Sequence, residues 1–174
     1  MSKAYSEEGQ HDRWTSLNIW LHWTIVVLIA VQYLVTAGGM EKMWDAAKSG
    51  SNGSGGLFTL GNAHIAVGSL VLIAAIIRLW DRFAHGRPPH PDGAPNWAHL
   101  LAKITHVLLY TFLIAMPIGG LLGWFLNSEF FAEAHHTAAE VLIYVIALHV
   151  LGALANHFWF KTDALRNMMP GRGR

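Results

Sequence analysis

Residues 134–160 read AHHTAAEVLIYVIALHVLGALANHFWF. Glu140 is the only Asp, Glu, Lys or Arg in this stretch. It exceeds the roughly 20 residues a helix needs to cross a hydrocarbon layer about 30 Å thick. A soluble helix of this length would keep a polar face, and none is present. What interrupts the apolar run is histidine, at positions 135, 136, 149 and 157. An ionisable side chain at membrane depth is costly and functional by default.

Working outward, three further apolar runs precede this one, at about 17–37, 61–80 and 97–125. Four such runs predict an all-α, integral membrane four-helix bundle, because backbone polar groups in lipid must be satisfied within each segment. The whole chain, 1–174, reads as a single transmembrane domain. The composition agrees: 53% of residues are hydrophobic and 13% charged, against about 25% charged in soluble domains. The first run reads as a spanning helix. Val35-Thr-Ala37 resembles a signal-peptide cleavage site, but the apolar stretch is longer than a leader's and the segment before it carries acids as well as bases.

Between runs one and two lies the glycine–serine stretch 48–56, and between runs two and three the proline-rich stretch 87–95. No internal repeat of the transporter kind is visible. Ten of the twelve Lys and Arg residues fall on one side: Lys3, Arg13, Arg78, Arg82, Arg87, Lys103, Lys161, Arg166, Arg172 and Arg174, against Lys42 and Lys48 on the other. Both termini are therefore expected in the cytoplasm. Trp14, Trp20, Trp23, Trp80, Trp97, Trp124 and Trp159 cluster near run ends, as interfacial anchors do.

There are no cysteines, which excludes disulfides, thiolate metal sites, iron–sulfur clusters and covalently attached c-type haem. A net charge of +1, with no basic run interleaved with aromatics, gives no sign of nucleic-acid binding. In the third run, Ala115, Gly119 and Gly123 recur every four residues and admit close approach of a helix or a flat cofactor, and Pro117 predicts a kink.

The chemistry rests on histidine. His11, His85, His90 and His99 lie in loops or at the interface, whereas His22, His64, His106, His135, His136, His149 and His157 lie in or at the ends of apolar runs. From His135 to His149 is fourteen residues, which returns to within about 40° of one helix face and rises about 21 Å. His136 is turned away from that stripe, so His135 is the inward member of the adjacent pair. Depth then pairs the ligands: His22 opens helix one near the cytoplasmic side, level with His149, and His64 opens helix two at the outer side, level with His135. Two His–His pairs suit bis-imidazole ligation of two non-covalent haems, which leaves no open position and favours electron transfer. Zinc usually takes three or four converging ligands, and a histidine ladder for ion transport needs closer steps than about 21 Å.

Taken in order, Leu21-His22-Trp23, His64, Arg78-Leu-Trp-Asp-Arg82, Thr105-His106-Val-Leu-Leu-Tyr110 with Ala115-Met-Pro117, His135, His149 and the tail Leu165-Arg-Asn-Met-Met-Pro170 resemble the bacterial cytochrome b561 family, which includes the cytochrome b subunits of nickel hydrogenases. The likeness covers roughly residues 17–170. It implies a multi-pass inner-membrane cytochrome with two haem b, one held at the positions of His22 and His149 and the other at those of His64 and His135. Where the family usually carries an acidic residue after the outer helix-four ligand, this chain has His136. Members exchange electrons with the quinone pool, and one branch is a superoxide oxidase that passes superoxide's electron to ubiquinone.

The expected activity is therefore electron transfer from an outer-face donor, superoxide or a periplasmic redox partner, to ubiquinone. The alternative is a cytochrome b anchor that docks a periplasmic dehydrogenase or cytochrome and has no substrate site of its own. Superoxide would be drawn by outward positive charge, but Lys42 and Lys48 are opposed by Glu41, Asp45, Glu129 and Glu133. Arg78 and Arg82 either pair haem propionates or anchor helix two at the headgroups. His106 and His157 are candidates to exchange protons with a quinone, or else make local hydrogen bonds.

Overall fold

A computed structural model describes residues 14–49, 59–86 and 93–171. Lys3, His11, Arg13, Arg87, His90, Arg172 and Arg174, with most of the glycine–serine stretch and of the proline-rich one, lie outside the described residues. All regular structure among the described residues is helical. The elements are α1 (Ser16–Val31), a π-helical turn (Gln32–Thr36), α2 (Ala37–Lys48), α3 (Leu60–His85), α4 (Asn96–Phe125), α5 (Glu129–Phe158) and a short 3₁₀ turn (Arg166–Met168). Ser16–Thr36, α3, α4 and α5 are each long and apolar enough to cross a membrane.

The local chemistry starts the helices where they start. Thr15 caps α1 by accepting a hydrogen bond from the Asn18 amide at 3.0 Å, and Thr59 caps α3 by accepting from that of Asn62 at 3.1 Å. Ser128 precedes α5, and Glu129 places an acid in its first turn, where the helix dipole favours one. That explains why α5 begins at Glu129, a turn before the apolar run. α4 passes through Pro117 as one continuous helix.

The bundle is held by a narrow core. Ile25, Val71, Ala74, Ala75, Leu113 and Leu142 meet at its centre. Side chains such as Leu34, Tyr144 and Leu151 face outward, where an apolar surface belongs only in contact with lipid. Near the start of α1, Trp23 Nε1 donates to the Met168 carbonyl at 2.7 Å and ties the tail back onto α1.

One departure from the sequence pattern matters. The first apolar run ends at about 37, yet the helix continues through the π turn into α2, as far as Lys48. Its polar residues read as a connection, but α2 packs against the start of α3. Met43 sits on Gly61, where an added Cβ would meet its Sδ at 2.7 Å. Gly39 lies so close to Leu60 that a Cβ would fall 2.7 Å from its carbonyl carbon. Trp44 meets Trp124 with ring centroids 6.2 Å apart, and Lys48 pairs with Glu129. That hydrogen bond to a carboxylate holds the Lys48 ammonium above its ordinary range.

Gly39→Ala tests this packing. Alanine gains about 1 kcal/mol of helix propensity over glycine, whereas overpacking against a rigid backbone costs about 1–3 kcal/mol. A net fall in the thermal midpoint of the detergent-solubilised protein is expected. A rise would mean that α2 is free to move off α3.

Candidate haem sites

At one end of the bundle, the outer one by the expected orientation, α3 presents His64 and α5 presents His135, with ring centroids 6.0 Å apart and planes inclined by 77°. His135 Nδ1 lies 2.9 Å from the Met116 carbonyl of α4. A carbonyl only accepts, so Nδ1 carries the proton and the Nε2 lone pair is left for another partner. The seat for this ring is Gly120, where a Cβ would lie 2.8 Å from His135 Nδ1. His64 Nδ1 is buried and has no hydrogen-bond partner. A buried ring nitrogen left this way is costly unless something else engages it.

The consequence for Gly120 is direct. Gly120→Ala drives a methyl into the His135 ring and is expected to lower occupancy at the outer site while leaving the inner site filled. A haem count on the purified variant reads this, and full occupancy would show that the seat is not needed.

At the opposite end, the inner one by the same expectation, three rings converge. His22 of α1 and His149 of α5 have centroids 6.2 Å apart with planes at 71°. His106 of α4 lies 5.1 Å from His149, its Nδ1 2.6 Å from the Ala102 carbonyl of its own helix. The sequence reading took His106 as a quinone candidate, and the fold sets it edge-on against His149. His157 lies at the same end of α5, its ring beside that of Phe158.

Beside these rings sit two cations. Arg78 is buried, its Nε donating to Asn18 Oδ1 at 3.1 Å. Arg78 and Arg82 both lie over the Tyr110 ring, at 5.8 and 5.6 Å. Asp81, one turn from Arg78, does not neutralise it. Its carboxylate accepts from Thr15 Oγ1 at 2.6 Å and Asn18 Nδ2 at 3.1 Å, and its other oxygen is 3.1 Å from His85 Nδ1. Among the described residues no carboxylate pairs with Arg78 or Arg82. A buried guanidinium with no counter-charge among the described residues suits an anionic partner at this end of the bundle.

These residues fit a haem at either end. Two imidazoles that share one iron, with metal–nitrogen bonds of about 2.0 Å and ring centres roughly 1.1 Å behind the nitrogens, have centroids about 6.2 Å apart. Both pairs stand at that separation. The two histidine pairs suit metal ligation, and Arg78 and Arg82, with no carboxylate partner among the described residues, suit carboxylate recognition. His136 is exposed, its Nδ1 3.8 Å from Glu140 Oε1, on the side of α5 away from His135. Asn18, Asp81 and Gly120 were not singled out by sequence. A buried amide four residues before His22 was the available signal.

The prokaryotic cytochrome b561 family model matches residues 13–171. Among curated proteins, the chain is similar to cytochrome b562 of Cereibacter sphaeroides, 28% identical over 94% of this chain and 99% of that one. It is also similar to cytochrome b561 homolog 1 of Escherichia coli K12, 26% identical over 92% of this chain and 99% of the relative. A probable superoxide oxidase, CybB, of Yersinia pestis is 23% identical over 92% of this chain and 97% of its own. With four membrane-crossing helices and paired histidines at both ends, the chain belongs to the prokaryotic cytochrome b561 family, as a haem b-binding, electron-transfer protein of the inner membrane.

Proposed function

We propose that the chain carries two haem b, each between two histidines, and passes electrons from a donor at the outer face to ubiquinone, with both termini cytoplasmic. His64 and His135 serve the outer haem, His22 and His149 the inner. The observation that carries this reading is the repeated geometry, two histidine pairs at centroid separations of 6.0 and 6.2 Å, offset along α5 by about 21 Å. When bound, haem supplies one-electron ferric–ferrous chemistry.

The chain's residues do the rest. His64 with His135, and His22 with His149, would hold the two haems and leave no open position for oxygen. The apolar helix surfaces keep water from the path between the two ends. Arg78 and Arg82 would neutralise propionates at the inner end. Ubiquinone reduction takes two electrons and two protons, and His106 and His157, at the cytoplasmic end, are the candidate groups to hold those protons. With superoxide as donor the balance is two superoxide anions, one ubiquinone and two protons to two dioxygen and one ubiquinol.

One observation favours a second reading of the donor. Lys48 is paired with Glu129, and Asp45 and Glu133 lie close enough to act on its charge. The outer face therefore presents little free positive charge to steer an anion. This supports a periplasmic redox protein or dehydrogenase subunit as donor, with the chain as its membrane anchor.

The test uses the purified protein: a reduced-minus-oxidised spectrum with a haem count, then superoxide-driven reduction of added ubiquinone. Two haems and ubiquinol formation are expected for the first reading. Two haems with no turnover would move the assignment to the anchor, and no haem would end both.

A further inference from the structure

α1 changes its winding near the outer histidine pair. Gln32–Thr36 form a π-helical turn, a rare element that appears mostly as single turns at functional sites. The two residues that open this turn reach to different helices. Gln32 Nε2 donates to the backbone carbonyl of His64 itself, on α3, at 3.0 Å. Tyr33 hydroxyl donates to the Ala139 carbonyl on α5, one helical turn after His135. Gln32 is held in turn by buried Thr36, whose hydroxyl lies 3.0 Å from Gln32 Oε1 and 3.1 Å from the Gln32 carbonyl. Gly68 leaves room for the amide, since a Cβ there would stand 3.3 Å from Gln32 Nε2.

We propose that this π turn is a clamp that sets the mutual orientation of the outer histidine pair, with Gln32 fixing α3 at His64 and Tyr33 fixing α5 one turn from His135. The proposal rests on the reading that this pair ligates the outer haem. Neither bond is needed to close a helix. The His64 and Ala139 carbonyls each lie inside a regular helix and retain their own i+4 amide partners. Both contacts add a second hydrogen bond to a satisfied acceptor, so their effect is on where the helices stand. Gln32, Tyr33 and Thr36 are positioning residues, one step removed from the ring nitrogens.

The experiment compares Tyr33→Phe, Gln32→Leu, Thr36→Val and Thr36→Ser with the parent, all purified with haem bound. Low-temperature electron paramagnetic resonance resolves low-spin haem signals that report the relative orientation of two axial imidazoles. Potentiometric titration gives the potential of each haem. His64→Ala and His149→Ala in the parent background identify the outer and inner signals.

The expected result is that Tyr33→Phe, Gln32→Leu and Thr36→Val shift the outer signal and its potential while the inner signal stays in place. Thr36→Ser, which keeps the hydroxyl, should match the parent. Unchanged outer signals in all variants would overturn the clamp. Equal shifts at both haems would also overturn it, because they indicate general loosening of the bundle. If His64→Ala removed no signal, the ligand reading would fall on its own, separately from the clamp.

Discussion

Under the proposed two-haem ligation, replacing His64 or His135 with alanine is expected to reduce the protein from two haems to one, with the inner haem intact, and replacing His22 or His149 to do the reverse. The reason is coordination. A low-spin b-type haem is held through its axial ligands and its apolar surroundings, and loss of one imidazole opens a coordination position. The two rings of each pair belong to different helices, α1 with α5 and α3 with α5. His136→Ala is the control. Its side chain is exposed and directed toward Glu140, and the variant should retain both haems. A pyridine haemochrome assay against protein concentration reads the ratio. Loss of the outer haem in His136→Ala with retention in His135→Ala would overturn the assignment.

The second large effect concerns Arg78. A unit charge about 8 Å from a redox centre, at an effective dielectric near 20, contributes about 2 kcal/mol, equivalent to roughly 90 mV for a one-electron couple. A cation favours the reduced state, which carries one positive charge fewer. Arg78→Gln is therefore expected to lower the inner haem's potential by a shift of that order, with the outer haem unmoved. Arg78→Lys keeps the charge and should shift it much less, though it loses the forked geometry suited to a carboxylate. Asn18 is part of this arrangement. It accepts from Arg78 Nε and donates to Asp81, so it links the two side chains. An unchanged inner potential in Arg78→Gln would assign the arginine to headgroup anchoring instead.

Most of the plan is legible in the sequence because its two governing signals are local. Apolar runs of spanning length fix the number of helices, since lipid admits no other backbone solution. The fourteen-residue interval between His135 and His149 fixes two levels on one face, since helix phase and rise follow from backbone geometry alone. Choosing His135 over His136 needed nothing more than that phase, and the exposed His136 ring agrees with it.

Other features depend on groups far apart in the chain. The continuation of α1 into α2 is decided by contacts between residues 39–48 and residues 60, 61, 124 and 129, so a polar composition alone read as a connection. The sequence marks His106 as a quinone candidate, and the packing of α4 along α5 sets its ring against that of His149, 43 residues away. Gly120 carries no mark in the sequence, and only the packing of α5 on α4 seats the His135 ring on it.

The sequence by itself therefore determined that this protein is a four-span helical bundle with histidines at two depths. Only the tertiary structure decided how those histidines are held and what lies beside them: the Met116 carbonyl under His135, the π turn behind His64, and Asn18 between Arg78 and Asp81. The physical reason is that helix length and phase are properties of one segment. A hydrogen bond's partner, or an unneutralised charge, exists only once separate segments have packed together.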